Sequence, residues 1–357
     1  MNQCVVSVKE NLEGNILMSE LKEYLKILCD SDYPKFIDKY LETKELQRLK
    51  GIDQFCGCFY TNLHNVKYWY SRYDHSLATA LMTYHFTKDK IQTLSALFHD
   101  LGTPCFSHCV DFMLGDSVNQ ESSERNVLDI LRNSEDICTC LKQDGILIDW
   151  LNTSKYGVVE NKFPRLCVDR LDGILTTGLI WTDYLDISDI EKIYKNMTVL
   201  RNEDNNYEIG FKNIDSALVF FDAMLNYSYV LQRNEDKYTL SFIADILKKM
   251  CLSGYVKVED LYNLSEEDVI KLIVKHDGKR WNQFITSKKL MRSIYPIDDC
   301  FVVSIESKNR HVIPLVRYQN NIVRLDEISL IVKQLLEEFK NYKDTEYCYI
   351  KKIKKSI

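Results

Sequence analysis

Apolar residues recur at three- and four-residue steps from about residue 17, in ILMSELKEYLKILCD. The same period returns around 35–50, 74–88, 89–100, 123–132 and 165–180. This spacing predicts amphipathic helices whose apolar faces pack together. MTVLRNEDNNYEIGF (197–211) departs from it. Two short apolar runs flank a polar NEDNN turn there and predict a β-hairpin. Helical periodicity resumes at 213–232 and 237–251, and a more mixed region follows. FVVSIES (301–307), HVIPLV (311–316) and NNIVRL (320–325) are candidate strands; a last helix, about 326–341, precedes a strand-like end. No internal repeat is present. The expected fold is mainly α: a helical domain over 1–250 that carries the hairpin, then a small C-terminal α+β extension over 251–357.

Composition narrows the function classes. The chain has 357 residues, 27% charged and 45% hydrophobic, which suits a soluble globular protein with a sizeable core. Only 12 glycines and 5 prolines leave little room for linkers. A net charge of −6 argues against general nucleic-acid binding but not against a local basic pocket. No run approaches the roughly 20 apolar residues that a bilayer span requires. MNQCVVSVKENLEG lacks the basic segment and apolar core of a secretory signal, so a cytoplasmic location and no membrane partner are expected. The basic end KKIKKSI is expected to be a solvated terminus. Twelve cysteines are scattered, with Cys56-x-Cys58 and Cys138-x-Cys140 the only tight pairs. Free thiols are the expectation rather than a cysteine zinc framework.

Four polar positions sit in or at the edge of apolar helices: His75 in YSRYDHSLATAL, His99 and Asp100 ending QTLSALFHD, and Asp169 in RLCVDRLDGIL. Imidazoles and carboxylates are costly there unless paired or ligated. One such histidine alone is more often a satisfied core residue. Together the four make a mixed nitrogen and oxygen set suited to a divalent metal, whether Mn, Fe, Ni, Zn or Mg. Arg72 and His75 are three apart and share a helix face, as do Asp169 and Asp172. An arginine so placed suits bidentate phosphate recognition; the alternative is a surface pair with Asp74.

The order H…HD…D resembles the HD-domain metal-dependent phosphohydrolases. Further motifs resemble their deoxynucleoside triphosphate triphosphohydrolase branch: Gln47-Arg48-Leu49 with Ile52-Asp53-Gln54-Phe55, Arg72-Tyr73-Asp74-His75-Ser76-Leu77, His99-Asp100-Leu101-Gly102 with Phe106-Ser107-His108, and Asp169-Arg170-Leu171-Asp172. The hairpin, SALVFFDAMLNYSYVLQ and DLYNLSEEDVIKLI are similar too, so the resemblance runs to about residue 340. It implies a helical HD core with a metal held by His75, His99, Asp100 and Asp169, the last of them supported by Asp172. It also implies Arg72 and Arg170 on phosphate and Gln54 on the sugar. The implied reaction is metal-assisted attack of water on the α-phosphorus, releasing nucleoside and inorganic triphosphate. A nucleotidase or phosphodiesterase, a nucleotide- or metal-binding sensor with little turnover, and an interaction protein whose motif residues merely pack remain alternatives. The implied ligand is a nucleotide or another phosphorylated small molecule, and the family's habit of oligomerising makes a homo-oligomer an expectation.

The chain departs from the family where acid/base chemistry is usually placed. Members read HDLGHGPFSH, and the second histidine of that run is a proposed acid/base; here its position is Thr103, followed by Pro104 and Cys105. A second family histidine, opening an HE-x-x-S segment, falls at Ser123-Glu124. Threonine cannot donate a proton near neutrality as imidazole does. That leaves His108 and Glu124, beside Asp100, as the titratable candidates for catalysis.

Overall fold

In the computed structural model, residues 14–29, 32–123 and 125–354 are described. Helix α1 (Gly14–Cys29) packs against α2 (Arg72–Thr87), which also packs against α3 (Lys90–Phe98) and α7 (Val168–Thr176). Between α3 and α7 come α4 (His108–Leu114), α5 (Val127–Asn133) and α6 (Glu135–Asp144). After α8 (Ile187–Lys195) the hairpin β1 (Met197–Arg201) and β2 (Tyr207–Phe211) leads into α9 (Ile214–Gln232), α10 (Asn234–Leu252) and α11 (Glu266–Thr286). Strands β3 (Met291–Ser293), β4 (Cys300–Val303), β5 (Leu315–Tyr318) and β6 (Asn321–Arg324) precede α12 (Leu330–Lys340) and β7 (Tyr347–Lys354).

Local chemistry sets the starts of the helices that matter most. Ser71 caps α2 in a capping box with Asp74, and Asp89 caps α3 by accepting from the amides of Ile91 and Gln92. The apolar stripes of α2 and α3 then bury Ala78, Leu81, Met82, Leu94, Leu97 and Phe98 in one core. His75 and His99 are consequently fixed on neighbouring elements rather than on mobile loops.

The strands form two sheets. One has the order β1-β2-β5-β6, with β2 and β5 parallel and the outer pairs antiparallel; the other is antiparallel, in the order β3-β7-β4. The first sheet joins strands from both sides of residue 250. Residue 250 itself lies inside α10.

Several boundaries differ from the sequence expectation. Of 301–307 only the first three residues are in β4, and 311–314 are irregular before β5 begins. The residues 35–51 form a string of short helical turns instead of one helix. The last helix is broken at Ser329, whose extended backbone and hydroxyl cap α12. Helices α4, α6, α8 and α11 were not anticipated. The basic end is not simply solvated: β7 is the middle strand of its sheet and buries Ile353, while Lys351 and Lys352 face outward. The last three residues lie outside the described part.

Candidate metal centre and its cavity

His75 Nε2 lies 3.1 Å from His99 Nε2 and 3.1 Å from Asp169 Oδ1. The three donor atoms all lie within 4.8 Å of one another. Asp100 Oδ2 stands 3.8 Å from both imidazole Nε2 atoms. The four residues expected from sequence are thus brought together by α2, the end of α3 and the start of α7.

The hydrogen bonds behind the cluster test whether it fits a cation. His75 Nδ1 is 2.6 Å from Asp172 Oδ2, and His99 Nδ1 is 2.7 Å from the Ala96 carbonyl. Those acceptors hold the protons on Nδ1, so both Nε2 lone pairs face one spot beside two carboxylates. Two lone pairs 3.1 Å apart repel unless a proton or a cation sits between them. The donor set suits a borderline divalent metal. Asp172 is buried and also accepts from the hydroxyls of Tyr24 and Tyr70, at 2.5 and 3.1 Å. It supports His75, where the resemblance implied support for Asp169.

Electrostatics points the same way. Burial opposes charge on His75, yet its hydrogen bonds to Asp169 and Asp172 raise it to about 10. Burial also works against Asp100, but the Arg72 guanidinium and the two imidazoles hold its carboxyl well below the usual range. Asp169 is lowered as well, against burial, by its hydrogen bonds to His75 and His99. The cluster favours positive charge between its rings, and metal and proton would compete for it.

Arg72 donates to Asp100 Oδ2 at 2.8 Å, while Asp74 serves the helix cap, so the surface pair between them does not form. Thr103 Oγ1 donates to Asp100 Oδ1 at 3.1 Å. Arg48, inside the Q-R-L motif but assigned no role from sequence, donates to the carbonyls of Leu101 and Thr103 and so clamps the loop after His99. Gly102 permits a close approach there: a Cβ would lie 2.6 Å from the Arg125 carbonyl oxygen. Further along, Phe106 and Ser107 hold positive φ, and the Phe106 amide is anchored by Glu266 Oε1 of α11.

His99, Asp100 and Asp169 line a cavity of about 750 Å³, with buried His75 behind them. Gln54, Arg72, Arg170 and His108 line it too, so every described site residue expected from sequence reaches this one place. Glu124 lies outside the described residues. Gln54 Oε1 is buried and has no hydrogen-bond partner among the described residues. Arg170 donates to the carbonyls of Arg165 and Asn161.

His108 departs from its expected part. Its Nε2 faces Arg310 Nη2 at 3.2 Å and its Nδ1 faces Asp111 at 2.9 Å. An arginine can only donate, so Nε2 is an acceptor and Nδ1 carries the proton. Burial, opposed by Asp111 but aided by the charges of Arg310 and Arg72, pushes the imidazole down to about 4. It is a neutral acceptor near neutral pH, not the proton donor anticipated.

Sequence reasoning missed four further cavity residues: Arg125, Asp236, Lys308 and Arg310. Arg125 stacks 3.5 Å from the centre of the Tyr262 ring. Asp236 is buried at the start of α10, and burial raises its carboxyl to about 7. Cys105 is not a nucleophile candidate: its thiol is buried, bonds to the Leu264 carbonyl, and burial raises its pKa.

No protein-family model matches the chain. Over 138 residues, 38% of its length, it is 28% identical to the uncharacterized protein YdhJ of Bacillus subtilis. That match spans 41% of YdhJ. In fold, 87% of the chain superposes on 91% of a hypothetical protein from Aquifex aeolicus, with a TM-score of 0.58. Likewise 88% superposes on 94% of a phosphohydrolase from Bacteroides thetaiotaomicron, with a TM-score of 0.57. Both are 16% identical to it, which establishes a common fold and nothing finer.

Proposed function

We propose that the chain is a metal-dependent phosphohydrolase acting on a nucleotide, with a deoxynucleoside triphosphate as the leading substrate class. One observation carries this reading: the four-residue cluster stands on the wall of a cavity that also presents three arginines outside any ion pair among the described residues. Arg125, Arg170 and Arg310 are held there by a tyrosine ring, by backbone carbonyls, and by an amide with an imidazole, and none of them forms an ion pair among the described residues. In a chain of net charge −6, such charge is suited to an anionic ligand. The cavity volume suits a nucleotide, and the fold shared with a phosphohydrolase agrees with the reading.

A bound divalent metal would supply a Lewis acid and an activated water. The chain's own residues would do the rest. Asp172 fixes the His75 tautomer. Arg72, anchored on Asp100, and Arg170 meet non-bridging phosphoryl oxygens as charge develops. Gln54 Oε1, the unpartnered acceptor, takes a sugar hydroxyl.

The test is a panel of deoxynucleoside and ribonucleoside triphosphates, monophosphates and cyclic nucleotides with Mn²⁺, assayed for nucleoside, triphosphate and phosphate. Release of nucleoside plus triphosphate supports the leading class. Other products redirect it to a nucleotidase or phosphodiesterase. A sensor is the second reading, favoured because Thr103 is spent on Asp100 and His108 is neutral. Nucleotide and metal binding without any product would establish that reading instead.

A further inference from the structure

The segment 304–314 between β4 and β5 has no regular structure, yet it contributes Lys308, Asn309, Arg310 and His311 to the cavity wall. It is pinned rather than loose. Gln232 Nε2, at the end of α9, donates to the Lys308 carbonyl at 2.8 Å, and Lys308 Nζ donates to the Asn119 carbonyl at 2.6 Å. The His311 ring packs edge-on against Phe163, with centroids 4.6 Å apart.

Among the described residues Arg310 is held at one end only. Its Nη2 donates to Gln120 Oε1 at 2.6 Å and faces His108 Nε2 at 3.2 Å. Those two contacts use both hydrogens of Nη2, leaving the two on Nη1 and the one on Nε. Both hydrogen-bond partners are neutral and Arg310 forms no ion pair among the described residues, while the buried Asp236 carboxyl feels its charge from across the cavity. Asp111 is the reason His108 can serve: its Oδ2 accepts from the Nδ1–H at 2.9 Å, which leaves Nε2 as acceptor. A guanidinium pre-set by neutral groups and facing a cavity loses little freedom on meeting a phosphate, which is the condition for strong bidentate binding.

We propose that Arg310 anchors the outer phosphates of a polyphosphate substrate and that His108 is the residue that positions it. The proposal rests on the phosphohydrolase reading above and assigns within it a part to the C-terminal segment. Arg72 and Arg170 serve the phosphorus near the metal cluster; Arg310, more than 200 positions from His108 in sequence, serves the far end of the chain of phosphates. A polyphosphate is thereby distinguished from a monoester at the same metal site.

The test uses inorganic triphosphate and inorganic orthophosphate as probes, titrated calorimetrically into the metal-loaded full chain, with bound metal measured again afterwards. R310Q is expected to weaken triphosphate binding about tenfold or more, the loss of one charge-assisted contact, and orthophosphate binding less than threefold. R310K should recover part of the loss. H108L should weaken triphosphate binding as R310Q does. H108Q, which returns an acceptor oxygen near the Nε2 position, should restore it. The H108L/R310Q double variant should be no weaker than R310Q alone, because the histidine acts through the arginine. Thermal melts of each variant confirm folding. Triphosphate binding by R310Q within twofold of wild type, equal loss of both anions, or additive losses in the double variant would overturn the proposal. None of these touches the hydrolase reading, which fails separately if the wild type binds no metal or releases no product.

Discussion

His75 Nδ1 lies 2.6 Å from Asp172 Oδ2, inside a buried nest closed by the hydroxyls of Tyr24 and Tyr70. Three donors converge on one carboxylate, which both holds the ring at a fixed angle and decides which nitrogen is free. In D172N an amide NH₂ would face donors, so the ring would lose its orientation. Metal affinity should fall about 10- to 100-fold, the usual effect of removing such a support. Competition for Mn²⁺ against a chromophoric chelator measures it, and an unchanged dissociation constant would show that Asp172 has no part in the site.

Arg72 and Asp100 form a second buried relationship. Their 2.8 Å contact leaves each side chain about a tenth exposed. R72Q removes the cation while the carboxylate stays buried, and breaking such a pair costs about 3–5 kcal/mol. Urea unfolding of the metal-free protein should show a loss of that order, and D100N in the same chain should recover part of it. Mn²⁺ should also recover part, because a cation at the cluster again faces Asp100.

What sequence made legible follows from distance along the chain. His75, His99 and Asp169 were identifiable because each is polar within an apolar helix, and helical spacing then placed Arg72 beside His75. The partners of His108 were not, since its fate is set by Arg310, a residue between two candidate strands in a stretch that proves irregular and carries no periodic signal of its own. The hairpin was recognisable from alternating apolar runs around NEDNN. Its pairing with β5 across residue 250 carries no local signal, because parallel pairing leaves no turn to read. Ser329 broke the last helix by capping a new one, a choice that apolar spacing alone does not record.

Asp53 and Glu266 provide the pH dependence. Glu266 Oε1 accepts from the amides of Asp53 and Phe106, both side chains are fully buried, and burial pushes both carboxyl groups upward. A carboxyl raised on folding binds its proton more tightly in the folded chain. Its contribution to stability is therefore complete below the unfolded value, about 4.5 for glutamate, and is lost as pH rises through the folded value. E266Q keeps an acceptor and removes the titration. Unfolding free energies from pH 5 to 8.5 should fall less steeply for E266Q than for wild type, and E266Q should be the more stable at the alkaline end. Parallel curves would remove Glu266 from this role.

The metal itself is tested most directly by elemental analysis of purified, dialysed protein. Wild type should retain about one divalent transition metal per chain, and H99A and D169A should retain almost none while melting as folded proteins. A folded wild type that binds no metal from Mn²⁺, Fe²⁺, Ni²⁺ or Zn²⁺ solutions, or an H99A variant that holds it as tightly, would contradict the account at its centre.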